Sequence, residues 1–239
     1  MEQKQFSTPE AAAAWIAARV CAVLRRRPDA LLCLAAGHTS LPVFAALAAA
    51  QARGEADFAR ARFVGMDEWL GIDPQNYGSC RSFLQRGLLD PLAIAPQQVC
   101  LFDSLCADPA AECARVDAFI ERCGGIDWLL LGMGMNGHLA LNEPGSAPDA
   151  RARAVPLSAT TLQVAPKYFD GGMPPLTQGI TLGPAELLAA REICLAVFGA
   201  HKRAAVHRLL SGPVGPDFPA SLVRRCPQAV LALDDAANP

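Results

Sequence analysis

The chain is short of charge, of aromatic rings and of long apolar runs. Charged residues occupy 18% of its 239 positions and the formal net charge is −2. Such a balance gives no surface-wide positive field to attract nucleic acid or anionic lipid, so neither is expected as a partner. No stretch approaches the ~20 consecutive apolar residues of a membrane-spanning helix, and residues 1–7 are polar where a signal peptide would carry an apolar core. The nine cysteines form no Cys-x-x-Cys pair and are odd in number, which argues against a disulfide framework. Cys21, Cys33 and Cys194 lie in apolar runs, where a free thiol behaves as a small hydrophobe. His201 and His207 share one stretch without Cys or acidic partners at ligand spacing, so no metal site is expected. The expectation is a cytoplasmic protein with reduced thiols.

What is present is a hydrophobic fraction of 52%, enough for one sizeable core, and a single domain over residues 1–239 is expected. Short apolar runs alternate with helical stretches. Ser7-Thr8-Pro9-Glu10 reads as a helix start that runs to Arg27 and stops at Pro28. Strands are expected over 30–36, 62–66, 98–102, 126–131, 179–182, 192–198 and 229–233. Helices are expected over 41–52, 77–89, 109–123, 184–190 and 201–210. Residues 142–156 read as a loop excursion over the sheet edge. This alternation predicts an α/β fold: an open, mostly parallel, Rossmann-like sheet with helices on both faces. Ligands of such sheets sit beyond the C-terminal strand ends.

Three strand ends lead into polar sequence. After the first comes Gly37-His38-Thr39-Ser40, where backbone N–H groups and hydroxyls at a helix start suit a phosphate, although Thr and Ser are also ordinary caps. It is neither a Walker loop nor a dinucleotide fingerprint. After the second comes Asp67-Glu68-Trp69, read either as a solvated turn or as the location of a general base sheltered by Trp69. The third is the glycine-rich segment 132–145, which holds Asn136, His138 and Glu143. His138 is one of four histidines and is suited to proton transfer near neutral pH, with Glu143 near enough in sequence to orient it. Lys167 and Lys202 are candidates to complete an anion pocket, although each taken alone reads as a solvated surface charge.

Together these motifs resemble the glucosamine-6-phosphate deaminase family and its galactosamine-6-phosphate isomerase/deaminase relatives, over roughly residues 32–234. The resemblance is carried by Met-Asp-Glu-Trp at 66–69, by Gly-x-Gly-x-Asn-Gly-His-x-Ala-x-Asn-Glu-Pro-Gly at 132–145, and by Gly-Ala-His-Lys at 199–202. It implies the deaminase fold and the conversion of glucosamine or galactosamine 6-phosphate to fructose or tagatose 6-phosphate plus ammonia, with no cofactor. It also implies His138 as the ring-opening proton shuttle steadied by Glu143, Asp67 as the base at C2, and phosphate contacts from Gly37, His38, Thr39, Ser40, Lys167 and Lys202. This chain departs from the family pattern at Asn136, where aspartate is usual, at His38 and Ser40 in the phosphate loop, and at Lys167, where arginine is expected. The allosteric site of longer members is not carried over. The competing readings are a 6-phosphogluconolactonase-like hydrolase, whose motif does not continue into Asn-Glu-Pro, and a non-catalytic sugar-phosphate sensor. The motifs leave open both the hexosamine preference and whether the chain works alone or as a homo-oligomer.

Overall fold

The computed structural model describes residues 1–170 and 172–239. The tetrapeptides β2 (Leu31–Leu34) and β6 (Trp128–Leu131) are buried at every position, the pattern of interior parallel strands covered on both faces. Around them β1 (Glu2–Phe6), β3 (Arg62–Val64), β5 (Val99–Cys100), β9 (Glu192–Val197) and β10 (Ala229–Asp234) complete a seven-stranded sheet of order β1-β10-β9-β6-β2-β3-β5, parallel throughout. Side chains alternate between faces with period two. Leu31, Cys33, Leu129, Leu131, Ile193 and Leu195 pack into one core with α4 (Pro109–Arg122), α6 (Pro184–Leu188) and α7 (Arg203–Ser211). Leu32, Leu34, Trp128, Leu130, Cys194 and Ala196 pack into a second core with α1 (Pro9–Arg26), α2 (Leu41–Ala52) and α3 (Cys80–Leu84). The expected α/β architecture with helices on both faces is present.

Strand order fixes where a ligand belongs. From β2 the chain builds outward through β3 and β5 to one side, and from β6 through β9 and β10 to the other. The loops after β2 and β6 therefore part company, which opens the crevice typical of a topological switch point.

The structure differs from the sequence reading in four places. The polar segment at the N-terminus is strand β1, paired with β10 from Glu2↔Val230 to Phe6↔Asp234. The run at 62–66 stops at Val64, and Asp67–Trp69 is itself a strand, β4, in a separate antiparallel sheet of order β4-β8-β7. There β8 is Gln178–Thr181 and β7 is Arg153–Pro156, so the stretch read as a loop excursion ends in a strand. The helix expected over 77–89 starts at Cys80, capped by Ser79, and turns into a π-helical stretch at Gln85–Leu89. Thr8 caps α1 by accepting from the Ala11 N–H, as its sequence position implied.

Candidate active site

A cavity of about 700 Å³ opens at the switch point. Its walls come from the loops after β2, β6 and β9, from β4, and from α5 (Ala159–Val164) with the 3-10 turn Ala165–Tyr168 that follows it. Asp67, His138, Gly37, His38, Thr39, Ser40, Lys167 and Lys202 all line it. Of the ten residues singled out in the sequence, Asn136 and Glu143 stand one layer back, behind His138.

The β6 loop is folded by its glycines. Gly134 donates to the His138 carbonyl at 3.0 Å and accepts from the Gly137 N–H at 3.0 Å. A Cβ on Gly134 would lie 2.5 Å from the His138 ring, so the imidazole occupies the space a side chain would need. Asn142, fully buried, closes the other end of the loop. Its amide donates to the Leu139 and Leu182 carbonyls, each at 2.9 Å, and its oxygen accepts from Arg153 at 2.9 Å.

Glu143 is the hub behind the histidine. Its Oε2 accepts from Asn136 Nδ2 at 2.7 Å and lies 3.4 Å from His138 Nδ1, while the Thr161 hydroxyl donates to Oε1. Burial pushes this carboxyl up, but His138, Thr161 and Asn136 together outweigh it and hold the group down at about 2, so it is an anion at neutral pH. The 3.4 Å contact is ion-pair reach without hydrogen-bond alignment, and Nδ1 is otherwise buried and unpartnered. Asn136 also accepts the His138 backbone N–H at 3.2 Å, so its amide links the histidine backbone to the carboxylate.

Asp67 is half-buried on β4, opposite Thr181 of β8. Burial raises its carboxyl, the neighbouring Glu68 charge raises it further, and a hydrogen bond from Cys80 opposes both; the result is about 7. The cationic groups cluster. Lys202 donates to the Met133 carbonyl at 2.6 Å, and burial with the nearby Lys167 charge pushes its ammonium down to about 8. Burial also lowers Lys167, and burial with the Lys167 charge lowers His38. The His38 ring stacks on Tyr168 with centroids 5.2 Å apart. Among the described residues no group of three or more His, Cys, Asp or Glu is placed to hold a metal, and no helix is long and apolar enough to cross a membrane.

Sequence reasoning missed Thr161, Cys80 and Tyr168. Thr161 sits three residues after Ser158, whose hydroxyl caps α5, and that spacing signals only a helix start. Cys80 reads as one thiol among nine. Nothing in the sequence near Tyr168 shows that its ring would meet His38.

Ligands of doubly wound sheets are bound at the switch point, and here that place gathers a carboxyl, imidazoles and two ammonium groups. The class so defined is an α/β enzyme acting on a small anion. Comparison with known proteins makes this particular. A family profile described as glucosamine-6-phosphate isomerases/6-phosphogluconolactonase matches residues 3–232. The chain is 38% identical over 223 residues to a glucosamine-6-phosphate deaminase of Streptomyces coelicolor, covering 93% of this chain and 85% of the relative. It is 35% identical over 232 residues to one of Hahella chejuensis, covering 97% and 88%. A solved monomeric glucosamine-6-phosphate deaminase superposes with a TM-score of 0.94 at 28% identity, covering 99% of this chain and 98% of that one. The 6-phosphogluconolactonase of Trypanosoma brucei shares the fold, with a TM-score of 0.76 at 22% identity. The chain belongs to the glucosamine-6-phosphate isomerase/6-phosphogluconolactonase family.

Proposed function

We propose that the chain is a cytoplasmic enzyme that isomerises and deaminates a hexosamine 6-phosphate, glucosamine or galactosamine 6-phosphate, to the ketose 6-phosphate and ammonium. The observation that carries this reading is the meeting in one cavity of Asp67, His138 backed by Glu143, and the cluster His38, Lys167 and Lys202. All these groups belong to one chain. The curated relatives bear the deaminase name at 35% and 38% identity, whereas the lactonase comparison supports the fold alone.

The arrangement supports the following course. His138 carries the proton from the anomeric hydroxyl to the ring oxygen, and the C1–O5 bond breaks to leave an open-chain aldehyde. Glu143 holds the imidazole in place and stabilises it while it carries the extra proton. Asp67 as carboxylate then removes the C2 proton, and the C1 oxygen takes up a proton, which gives an enolamine. Asp67 returns its proton to C1, leaving an iminium at C2. Water adds there, the C–N bond breaks, and ammonium departs as the C2 carbonyl forms. The lysines, with Thr39 and Ser40 beside them, hold the phosphate remote from the reacting carbons, and that binding energy orients C1 and C2 against Asp67.

Incubation of the purified chain with each hexosamine phosphate separately, following ammonium and ketose phosphate, tests the reading. Stoichiometric release of both from at least one epimer is expected. No release from either at millimolar concentration, or hydrolysis of 6-phosphogluconolactone in its place, contradicts it.

A further inference from the structure

Glu68 adjoins Asp67 on β4, yet the mechanism above leaves it unused. It is 1% exposed, and its carboxylate accepts four hydrogen bonds. Oε1 takes the Trp69 and Cys80 N–H groups, each at 2.9 Å; Oε2 takes the Arg81 N–H and the Ser79 hydroxyl, each at 2.8 Å. Ser79 Oγ also accepts the Ser82 N–H at 3.2 Å, so one hydroxyl serves both the α3 cap and Glu68. Burial pushes this carboxyl up, and the four donors oppose that rise by favouring its charged form. A cap alone needs less, since Ser79 already caps α3.

Three of the four bonds tie β4 to the segment 79–81. A fourth tie between the two runs from Trp69 Nε1 to the Gly78 carbonyl at 3.0 Å. Trp69, Gly78 and Cys80 all line the cavity beside Asp67. Cys80 is thus held by its N–H to Glu68, while its thiol, in the same cavity wall as Asp67, lowers the proton affinity of that carboxyl.

We propose that Glu68 is a positioning residue for Asp67, acting as a clamp that holds the segment 79–81, and with it the Cys80 side chain, against β4 and sets a carboxylate next to Asp67. The two devices act on Asp67 with opposite sign. The Glu68 charge disfavours the Asp67 carboxylate, and the Cys80 hydrogen bond favours it. Burial is the largest influence on this base, and the two devices adjust it from either side within the range where it both accepts and returns a proton at neutral pH. The other titratable groups that face Asp67 are Cys33 on β2 and Tyr168 on the 3-10 turn, whose proton affinities Asp67 itself raises.

The inference rests on Asp67 being the C2 base, and its test separates the two ideas. The pH dependence of kcat/KM is measured for the full chain and for Glu68→Gln, Cys80→Ala and Cys80→Ser, with native folding checked by circular dichroism. Glu68→Gln is expected to cost at least tenfold in kcat and to move the acid limb down by about one unit, the scale of a lost neighbouring charge. Cys80→Ala is expected to move the same limb up, and Cys80→Ser to restore it. Opposite shifts support the clamp; an acid limb unmoved in both Glu68→Gln and Cys80→Ala overturns it. Should Glu68→Gln fail to fold, the Cys80 pair decides alone, because a merely structural thiol would not move a pH limb and have serine move it back. Failure of the Asp67 reading itself would show separately, as turnover retained in Asp67→Asn.

Discussion

At the scale of single residues, the two carboxylates of the site are displaced in opposite directions, and each displacement links protonation to stability. Glu143 is held down at about 2 in the folded chain against 4.5 for the free group. Its contribution is therefore complete above about pH 4.5 and disappears as pH falls through about 2. The stability difference between the native chain and Glu143→Gln, read from urea midpoints, is expected to narrow steadily between pH 5 and pH 2. A difference constant over that range would mean that the carboxylate gains nothing from Asn136, Thr161 and His138. In activity, Glu143→Gln is expected to lower kcat by about 10²-fold with KM little changed, the loss usual for a disabled acid–base group. Asp67 behaves in reverse. Its folded value of about 7 stands above the free value of 3.8, so its contribution is whole below about pH 3.8 and is lost as pH rises through 7. Asp67→Asn should then match the native chain in stability near pH 4 and exceed it above pH 7, by no more than about 4 kcal/mol before solvent screening is allowed for. Equal thermal midpoints at pH 8 would contradict the burial cost assigned to this group.

At the scale of elements, the glycine turn after β6 couples local geometry to chemistry most directly. Gly134→Ala would set a methyl group 2.5 Å from the His138 ring, far inside contact distance. The imidazole must swing away from Glu143, so kcat is expected to fall at least tenfold while inhibition by inorganic phosphate stays unchanged; weakened phosphate inhibition would indicate a general collapse of the cavity. Elements also show what the amino-acid order makes legible. Strands β2, β6 and β9 announce themselves because burial on both faces demands unbroken apolar runs. Strand β1 does not, since Glu2–Phe6 lies at the sheet edge with little cover and stays polar. Strand β4 hides for another reason: three residues, two of them acidic, read as a turn, and only the partner β8, more than a hundred positions away, makes them a strand. Asp67, His138 and Lys202 could be picked out because each lies just beyond a strand-like run, whereas Lys167 has only its turn Pro-Lys-Tyr-Phe-Asp to mark it. Thr161 could not, because its importance lies in reaching Glu143 across the cavity wall, a contact no local spacing encodes.

At the scale of the whole molecule, strand order decides where charge is spent. A chain of net charge −2 nevertheless brings His38, Lys167 and Lys202 together at the switch point of its sheet, where an anion has no competition from a generally basic surface. Burial, with the nearby Lys167 charge, holds Lys202 at about 8 in the free protein, so its positive charge fades as pH rises through that value. With Asp67 gaining its negative charge near 7, kcat/KM should trace a narrow bell between these limbs, and Lys202→Arg should extend the alkaline side. An alkaline limb that ignores this substitution would remove Lys202 from substrate capture. The account stands or falls on Asp67 moving a hydrogen between adjacent carbons. The most direct measurement is turnover of substrate in D₂O, with mass spectrometry locating deuterium in the ketose phosphate and in recovered substrate. Solvent deuterium at C1 of the product from the native chain, acquired to the extent that the Asp67 carboxyl exchanges its proton with solvent before returning it, and no incorporation with Asp67→Asn although the phosphate still binds, is the result predicted. Unimpaired turnover and labelling by the asparagine variant would contradict it.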